Sequence, residues 1–193
     1  MVIGITGNSG SGKSEISKLL SNKINAKIVD ADKVVKELYE PGQDYYNKIL
    51  NLFGKKILDK DNKLNKKKIA EIIYHNENER KKLNNLTYKY VVDEIKTRIK
   101  KENNHHLIID APLLFESGLD KICDITVAVL ANERLKLNRI CSRDNIDISL
   151  ATARLSIQAK DSYYLKKADY IIKNNGSKNE INLEEICTKI GKN

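Results

Sequence analysis

Eight consecutive residues, Gly7-Asn8-Ser9-Gly10-Ser11-Gly12-Lys13-Ser14, fit the spacing G-x-x-x-x-G-K-[ST] at every defined position. The chemistry this spacing serves is anion binding. Glycines let the backbone wrap with its N–H groups turned inward, which makes a nest for phosphate oxygens. A helix opening at the end of the run adds its positive N-terminal end. Lys13 has the reach to lie between the β and γ phosphates of ATP, and the Ser14 hydroxyl suits Mg²⁺. Asn8, Ser9, Gly10, Ser11, Gly12, Lys13, Ser14 and Glu15 are therefore the residues expected against the nucleotide. Glu15 is the odd member. A carboxylate suits the first turn of a helix, but beside bound phosphates it has to point away.

Phosphoryl transfer also asks for a base or orienter at the attacking hydroxyl, carboxylates for the metal, and cations for the developing charge. Asp30-Ala31-Asp32 closes the apolar run that begins at Lys27. Strand ends line the ligand crevice of an open α/β sheet, so both carboxylates are expected beside the loop. Their i, i+2 spacing leaves their directions open, and Asp32 equally suits a cap on a helix starting at Lys33. Asp110 follows Leu107-Ile108-Ile109, the pattern of a strand-end carboxylate that holds Mg²⁺ directly or through water. The other reading of Asp110 is a loop aspartate capping a turn ahead of Pro112. Arg139 and Arg143 are four residues apart and share one helical face, with Arg134 before them and Arg154 after. Such a segment reads either as a closing lid or as an exposed helix with ordinary salt bridges. His75, His105 and His106 show no ligand spacing. Cys123, Cys141 and Cys187 are dispersed and odd in number, which points to a reducing cytosol and away from zinc.

These groups need a frame. Apolar runs predict strands at Val2–Thr6, Lys27–Asp30, Leu107–Asp110, Ile125–Leu130 and Tyr170–Lys173. Helical pattern between them predicts an α/β fold with a five-stranded parallel sheet flanked by helices. The first helix is expected from near Lys13 with Ile16, Leu19 and Leu20 inward, the last over roughly Glu180–Ile190. Residues 41 to about 103 carry only helical pattern and read as an insertion; about 132–165 reads as a second helical segment. The core is then about 1–40, 104–131 and 166–193 of one 193-residue domain. No run reaches the roughly 18 apolar residues of a membrane helix, and the N-terminus reads as a strand, not a signal peptide. The net charge of +9 fits a polyanionic substrate, nucleic acid or simply a lysine-rich surface.

Six patterns, in order, resemble the dephospho-CoA kinase family over nearly the whole chain. They are Ile5-Thr6-Gly7 with the glycine loop; Val29-Asp30-Ala31-Asp32; Phe53-Gly54; Asp110-Ala111-Pro112-Leu113-Leu114-Phe115-Glu116-Ser117-Gly118-Leu119; Arg139 to Asp144; and Ala168-Asp169-Tyr170 through Asn174-Asn175-Gly176. Gln158, four residues after Arg154, also matches. The resemblance implies a P-loop kinase core with a helical acceptor-binding part and a lid. It implies Mg·ATP-dependent phosphorylation of the ribose 3′-hydroxyl of dephospho-CoA. Position by position, it implies that Asp32 is the base, that Arg139 and Arg143 contact phosphate from the lid, and that Asn174 lies in the adenine-side loop. Three positions depart from the family: Tyr88-Lys89 follows Thr87 where His-Pro is usual, Lys66 stands for a common arginine, and Glu15 replaces a small hydroxyl residue. The expected protein is cytoplasmic, a monomer or weak homo-oligomer, without nucleic-acid or membrane partners. The rival readings are another P-loop kinase of small molecules or nucleotides and, from a different class, an ATP-dependent nucleic-acid-binding protein. No aromatic stacking pattern favours the second.

Overall fold

All five strands occur with the expected ends: β1 Val2–Thr6, β2 Lys27–Asp30, β3 Leu107–Asp110, β4 Ile125–Leu130 and β5 Tyr170–Lys173. In the computed structural model they form one sheet in the order β2-β3-β1-β4-β5. β1 runs parallel to β3 and β4, and β4 runs parallel to β5. The structure describes residues 1–74, 76–102, 105–176 and 183–191. His75 and the first residues expected for the last helix, 180–182, lie outside the described residues. Every residue of β3 and β4 is buried. That is why both read as unbroken apolar runs: helices cover the sheet on both faces. The central place of β1 matters for the site. The chain leaves the middle of the sheet into the glycine loop, and Asp110 at the end of β3 lies in register with Ile5.

The chain packs as two compact units, Met1–Val29 with Glu102–Asn193, and Asp30–Lys101. In the first, α1 (Lys13–Ile24) and α9 (Glu184–Gly191) close over the sheet. Ile16, Leu20, Ile186 and Ile190 join Ile3, Ile5, Val127 and Val129 in one core cluster. Complete burial of a side chain such as Ile16 or Leu20 stabilises the fold by about 1.5–3 kcal/mol. α1 stops at Asn25, whose left-handed φ of 51° turns the chain so that the next amide, Ala26 N, also reaches Ser21 O at 3.0 Å. Beyond β3, Leu114 and Leu119 are buried, and the Phe115 ring meets Tyr163 edge-on at 6.0 Å. Tyr163 belongs to α8 (Asp161–Lys167), and Lys167 Nζ lies 4.7 Å over its ring. The Pro112–Gly118 segment therefore props α8. Between β4 and α8 come α6 (Glu133–Asp144) and α7 (Ile148–Ser156), the latter capped by Asp147.

The second unit is helical: α2 (Ala31–Leu38), α3 (Asp44–Phe53), α4 (Lys66–Tyr74) and α5 (Glu77–Lys101), with an antiparallel bridge between Leu58 and Leu64. Val34, Leu38, Tyr45, Ile49, Ile69, Leu83, Val91 and Ile95 are buried in it. Tyr45 is fully buried, with its hydroxyl 2.7 Å from Thr87 Oγ1 and its ring between those of Tyr39 and Tyr90. Burial pushes its phenol far above the usual range. One expectation needs correction. Asp32 does not cap a helix starting at Lys33. Asp30 is the cap, its carboxylate accepting from Lys33 N at 3.0 Å. A capping oxygen reaches the amide three residues on, so the helix starts at Ala31 and Asp32 stands exposed in its first turn.

Candidate active site

The loop from Gly7 to Ser14 joins the middle strand to α1. Ser11 N donates to Asn8 O at 3.1 Å, and the Glu15 and Ile16 amides return to Gly12 O. Gly12 is the N-cap, at φ 90°, with no side-chain cap. The helix thus opens with its first amides unclaimed by a capping side chain, the condition for an anion site. Two glycines are set by packing as well as by turn geometry. A Cβ on Gly10 would lie 2.4 Å from Lys136 O, and one on Gly12 2.1 Å from Asn174 Nδ2. Helix α6 and the end of β5 approach too closely for any larger residue.

Those two neighbours hold the outer side of the loop. Arg139 Nη1 donates to Gly10 O at 3.2 Å and Ser11 O at 3.3 Å, and its Nη2 donates to Asn174 O at 3.3 Å. Asn174 is 1% exposed; its Nδ2 donates to Ser11 O at 3.0 Å and its own amide to Leu130 O. A trans peptide points its C=O and N–H in opposite directions. Fixing Ser11 O from outside therefore turns the Gly12 amide away from Arg139 and Asn174. Arg143, one turn on, donates to Ser9 Oγ at 3.2 Å and pairs with Asp144 at 2.8 Å; Arg154 reaches the same carboxylate at 2.7 Å. Hydrogen bonding from Arg143, with attraction to Arg154, holds Asp144 below the usual carboxylate range.

A cavity of about 630 Å³ opens here, lined by Gly12, Lys13, Ser14, Glu15, Arg139 and Arg143 among others. Lys13, Arg139 and Arg143 outnumber Glu15 and the Asp144 paired with Arg143, a balance that favours an anion. On the loop itself, Ser11 Oγ is buried without a hydrogen-bond partner among the described residues. Together with the uncapped start of α1, this fits the nucleotide phosphates the loop implies. Asp110 is 7% exposed, and its Oδ2 accepts from Ser17 Oγ at 3.2 Å. It is thus a buried strand-end carboxylate. Among the described residues no three His, Cys, Asp or Glu gather as a metal cage. A buried carboxylate such as Asp110 suits Mg²⁺, which keeps waters and takes phosphate oxygens.

Of the residues singled out from sequence, the structure brings Ser9, Gly10, Ser11, Arg139, Arg143 and Asn174 into direct contact. Lys13, Ser14 and Glu15 line the same cavity. Asn8 is held elsewhere, by Tyr164 and Ala159. Asp32 belongs to the Asp30–Lys101 unit. Sequence reasoning gave no role to Ser17, Asp144 or Tyr164, though Asp144 closes one of the six patterns. Ser17 had a faint signal: it is a small polar residue on the inward face of α1, between Ile16 and Leu20. Of the three cysteines, all free, Cys123 has its thiol pushed up to about 12 by burial. No helix of the described residues is long and apolar enough to cross a membrane.

A glycine loop between a central parallel strand and its helix, with helix-borne arginines against it, defines a P-loop phosphotransferase. The chain belongs to the dephospho-CoA kinase family, whose model matches residues 1–180. A dephospho-CoA kinase of Fusobacterium nucleatum is 39% identical over 190 residues, covering 98% of this chain and 95% of that protein. The solved dephospho-CoA kinase of Campylobacter jejuni superposes with a TM-score of 0.66 at 29% identity, covering 99% of this chain and 95% of that one. A crystal structure from Thermus thermophilus, 23% identical, shares the fold with a TM-score of 0.82 over 100% of this chain and 96% of that one.

Proposed function

We propose that this chain transfers the γ-phosphoryl group of ATP to the ribose 3′-hydroxyl of dephospho-CoA, giving coenzyme A and ADP, the last step of coenzyme A biosynthesis. The observation that carries the reading is the loop braced by Arg139 and Asn174, with Lys13 and Ser14 on the cavity beside it. The residues of the loop, Asn8 to Glu15, form the nucleotide side, with Asn174 behind it. Lys13 places a fixed positive charge on the transferring group. Arg139 and Arg143, both on α6, are assigned to the charge that develops on the γ-phosphoryl oxygens during transfer; without nucleotide Arg139 is held by the Gly10 and Ser11 carbonyls. Asp32 takes the proton of the attacking hydroxyl as its oxygen bonds to phosphorus and the bond to the β-phosphate oxygen breaks. Asp110 and Ser14 hold Mg²⁺, which when bound neutralises charge on the phosphates. The helices of residues 41–103 supply the acceptor side, and residues 132–165 act as the lid that excludes water. The reading places the enzyme in the cytoplasm as a monomer or weak homo-oligomer, acting on a small molecule without nucleic-acid or membrane partners.

The test is ADP release by purified protein with dephospho-CoA as sole acceptor. Turnover on nucleoside monophosphates with dephospho-CoA ignored would overturn the assignment. Lys13→Ala abolishes most turnover, and Asp32→Asn lowers kcat by roughly 10²–10⁴. A loss confined to KM for dephospho-CoA would make Asp32 a binding residue instead.

A further inference from the structure

The corner between α7 and α8 meets the glycine loop through a side chain that the kinase chemistry above does not use. Gln158 Oε1 accepts from Ser9 N at 2.9 Å. The next residue of the corner answers the preceding residue of the loop: Asn8 Nδ2 donates to Ala159 O at 2.9 Å. Asn8 is itself buried and fixed from behind, its Oδ1 accepting from the Tyr164 hydroxyl at 2.8 Å. Burial pushes that phenol up to about 12, so it stays a donor at all physiological pH. Two adjacent loop residues are thus tied to two adjacent corner residues.

We infer that Gln158 is a positioning residue for phosphoryl transfer, coupling the α7–α8 corner to the phosphate loop through the Ser9 amide. The inference rests on the reading of Gly7–Ser14 as the phosphate site. The residue type follows from the place. The loop presents an N–H donor, so the corner must present an acceptor at the end of a flexible stem. That acceptor stands beside a site built for anions, where a carboxylate would repel the ligand. A neutral amide oxygen meets both demands, and glutamate, identical in reach, meets only the first. The Ser9 peptide lies within the turn that sets the amides of Gly10 to Ser14. Loosening it displaces the phosphate cradle by fractions of an ångström, which costs catalysis more than binding.

Two variants separate this from a merely structural contact. Gln158→Met removes the acceptor at nearly constant shape. It is expected to raise hydrogen exchange at the Ser9 amide and to lower kcat by about 10-fold, with KM for ATP changed less than about 3-fold. Gln158→Glu keeps the acceptor and so keeps Ser9 protected, but it is expected to weaken ATP binding about 10-fold. Repulsion of this kind fades as salt is raised. Exchange and ATP binding by calorimetry need no acceptor substrate. If wild type binds ATP but ignores dephospho-CoA, the substrate assignment fails while these two readouts still judge Gln158. Unchanged Ser9 exchange in Gln158→Met overturns the inference. So does a variant that only melts earlier at wild-type kcat, or Gln158→Glu binding ATP as wild type does.

Discussion

Gly10→Ala tests whether the loop glycines answer to phosphate alone or to the protein around them. Gly10 sits at φ 76°, and an added Cβ would lie 2.4 Å from Lys136 O, 2.8 Å from its Cα and 3.0 Å from its carbonyl carbon. All three are backbone atoms of α6, so no side chain can swing clear. Relief requires α6 to recede by most of an ångström, because ordinary contacts of this kind begin at about 3.4 Å. The left-handed conformation costs an alanine about 1–2 kcal/mol, and overpacking costs about 1–3 kcal/mol more. Retreat of α6 also stretches the bonds from Arg139 to Gly10 O and Ser11 O, already 3.2 and 3.3 Å. The expected destabilisation is therefore about 2–5 kcal/mol, a large part of the about 5–15 kcal/mol that holds a typical domain. Urea unfolding without nucleotide measures it: the midpoint falls while the m-value stays constant. Wild-type stability of the nucleotide-free variant, with ATP binding alone lost, would refute the packing argument.

Ser17→Ala removes the buried hydroxyl that donates to Asp110. A hydrogen bond to a charged group contributes about 1.5–3 kcal/mol, so the variant melts earlier and, if Asp110 holds Mg²⁺ as proposed, needs more Mg²⁺ for half-maximal rate; an unchanged Mg²⁺ dependence would detach Ser17 from the proposed metal site. Alkaline pH exposes two raised acids. Burial moves the Cys123 thiol from 9.0 to about 12 and the Tyr164 phenol from 10.0 to about 12. The folded protein keeps these protons while the unfolded chain loses them, so their stabilisation is complete below about 9 and declines as pH rises towards 12. Urea midpoints across that range read the decline, and Cys123→Ala should flatten its lower part.

What was legible in the sequence is what local pattern encodes. Five strands carry unbroken apolar runs because both faces of the sheet are covered, and each was found at its true ends. The glycine loop, Asp110 and the pairing of Arg139 with Arg143 on one helical face likewise follow from neighbours within a few residues. Asp30 and Asp32 marked the limit. Both suit a strand end, and only the start of α2 at Ala31 decides that Asp30 caps and Asp32 does not. Two of the missed residues, Ser17 and Tyr164, act at long range. Ser17 meets Asp110 across 93 positions, and Tyr164 meets Asn8 across 156. No periodicity relates such pairs, since each depends on strand order and on how α8 is propped by the Pro112–Gly118 segment.

That prop gives the segment a physical task beyond its value as a pattern. Phe115 sets the Tyr163 edge of α8, α8 aims Tyr164 at Asn8, and Asn8 holds the start of the phosphate loop. Further along the loop, Arg139 and Asn174 fix the Ser11 carbonyl. A loop held at Asn8, Ser9, Gly10 and Ser11 has little backbone freedom left to lose when phosphates arrive, so binding free energy is not spent on ordering it. Preorganisation of this kind favours the transition state most when the donors already point at the developing charge. The packing of the Pro112–Gly118 segment, far from the phosphates in sequence, thus bears on the rate through the position of one asparagine.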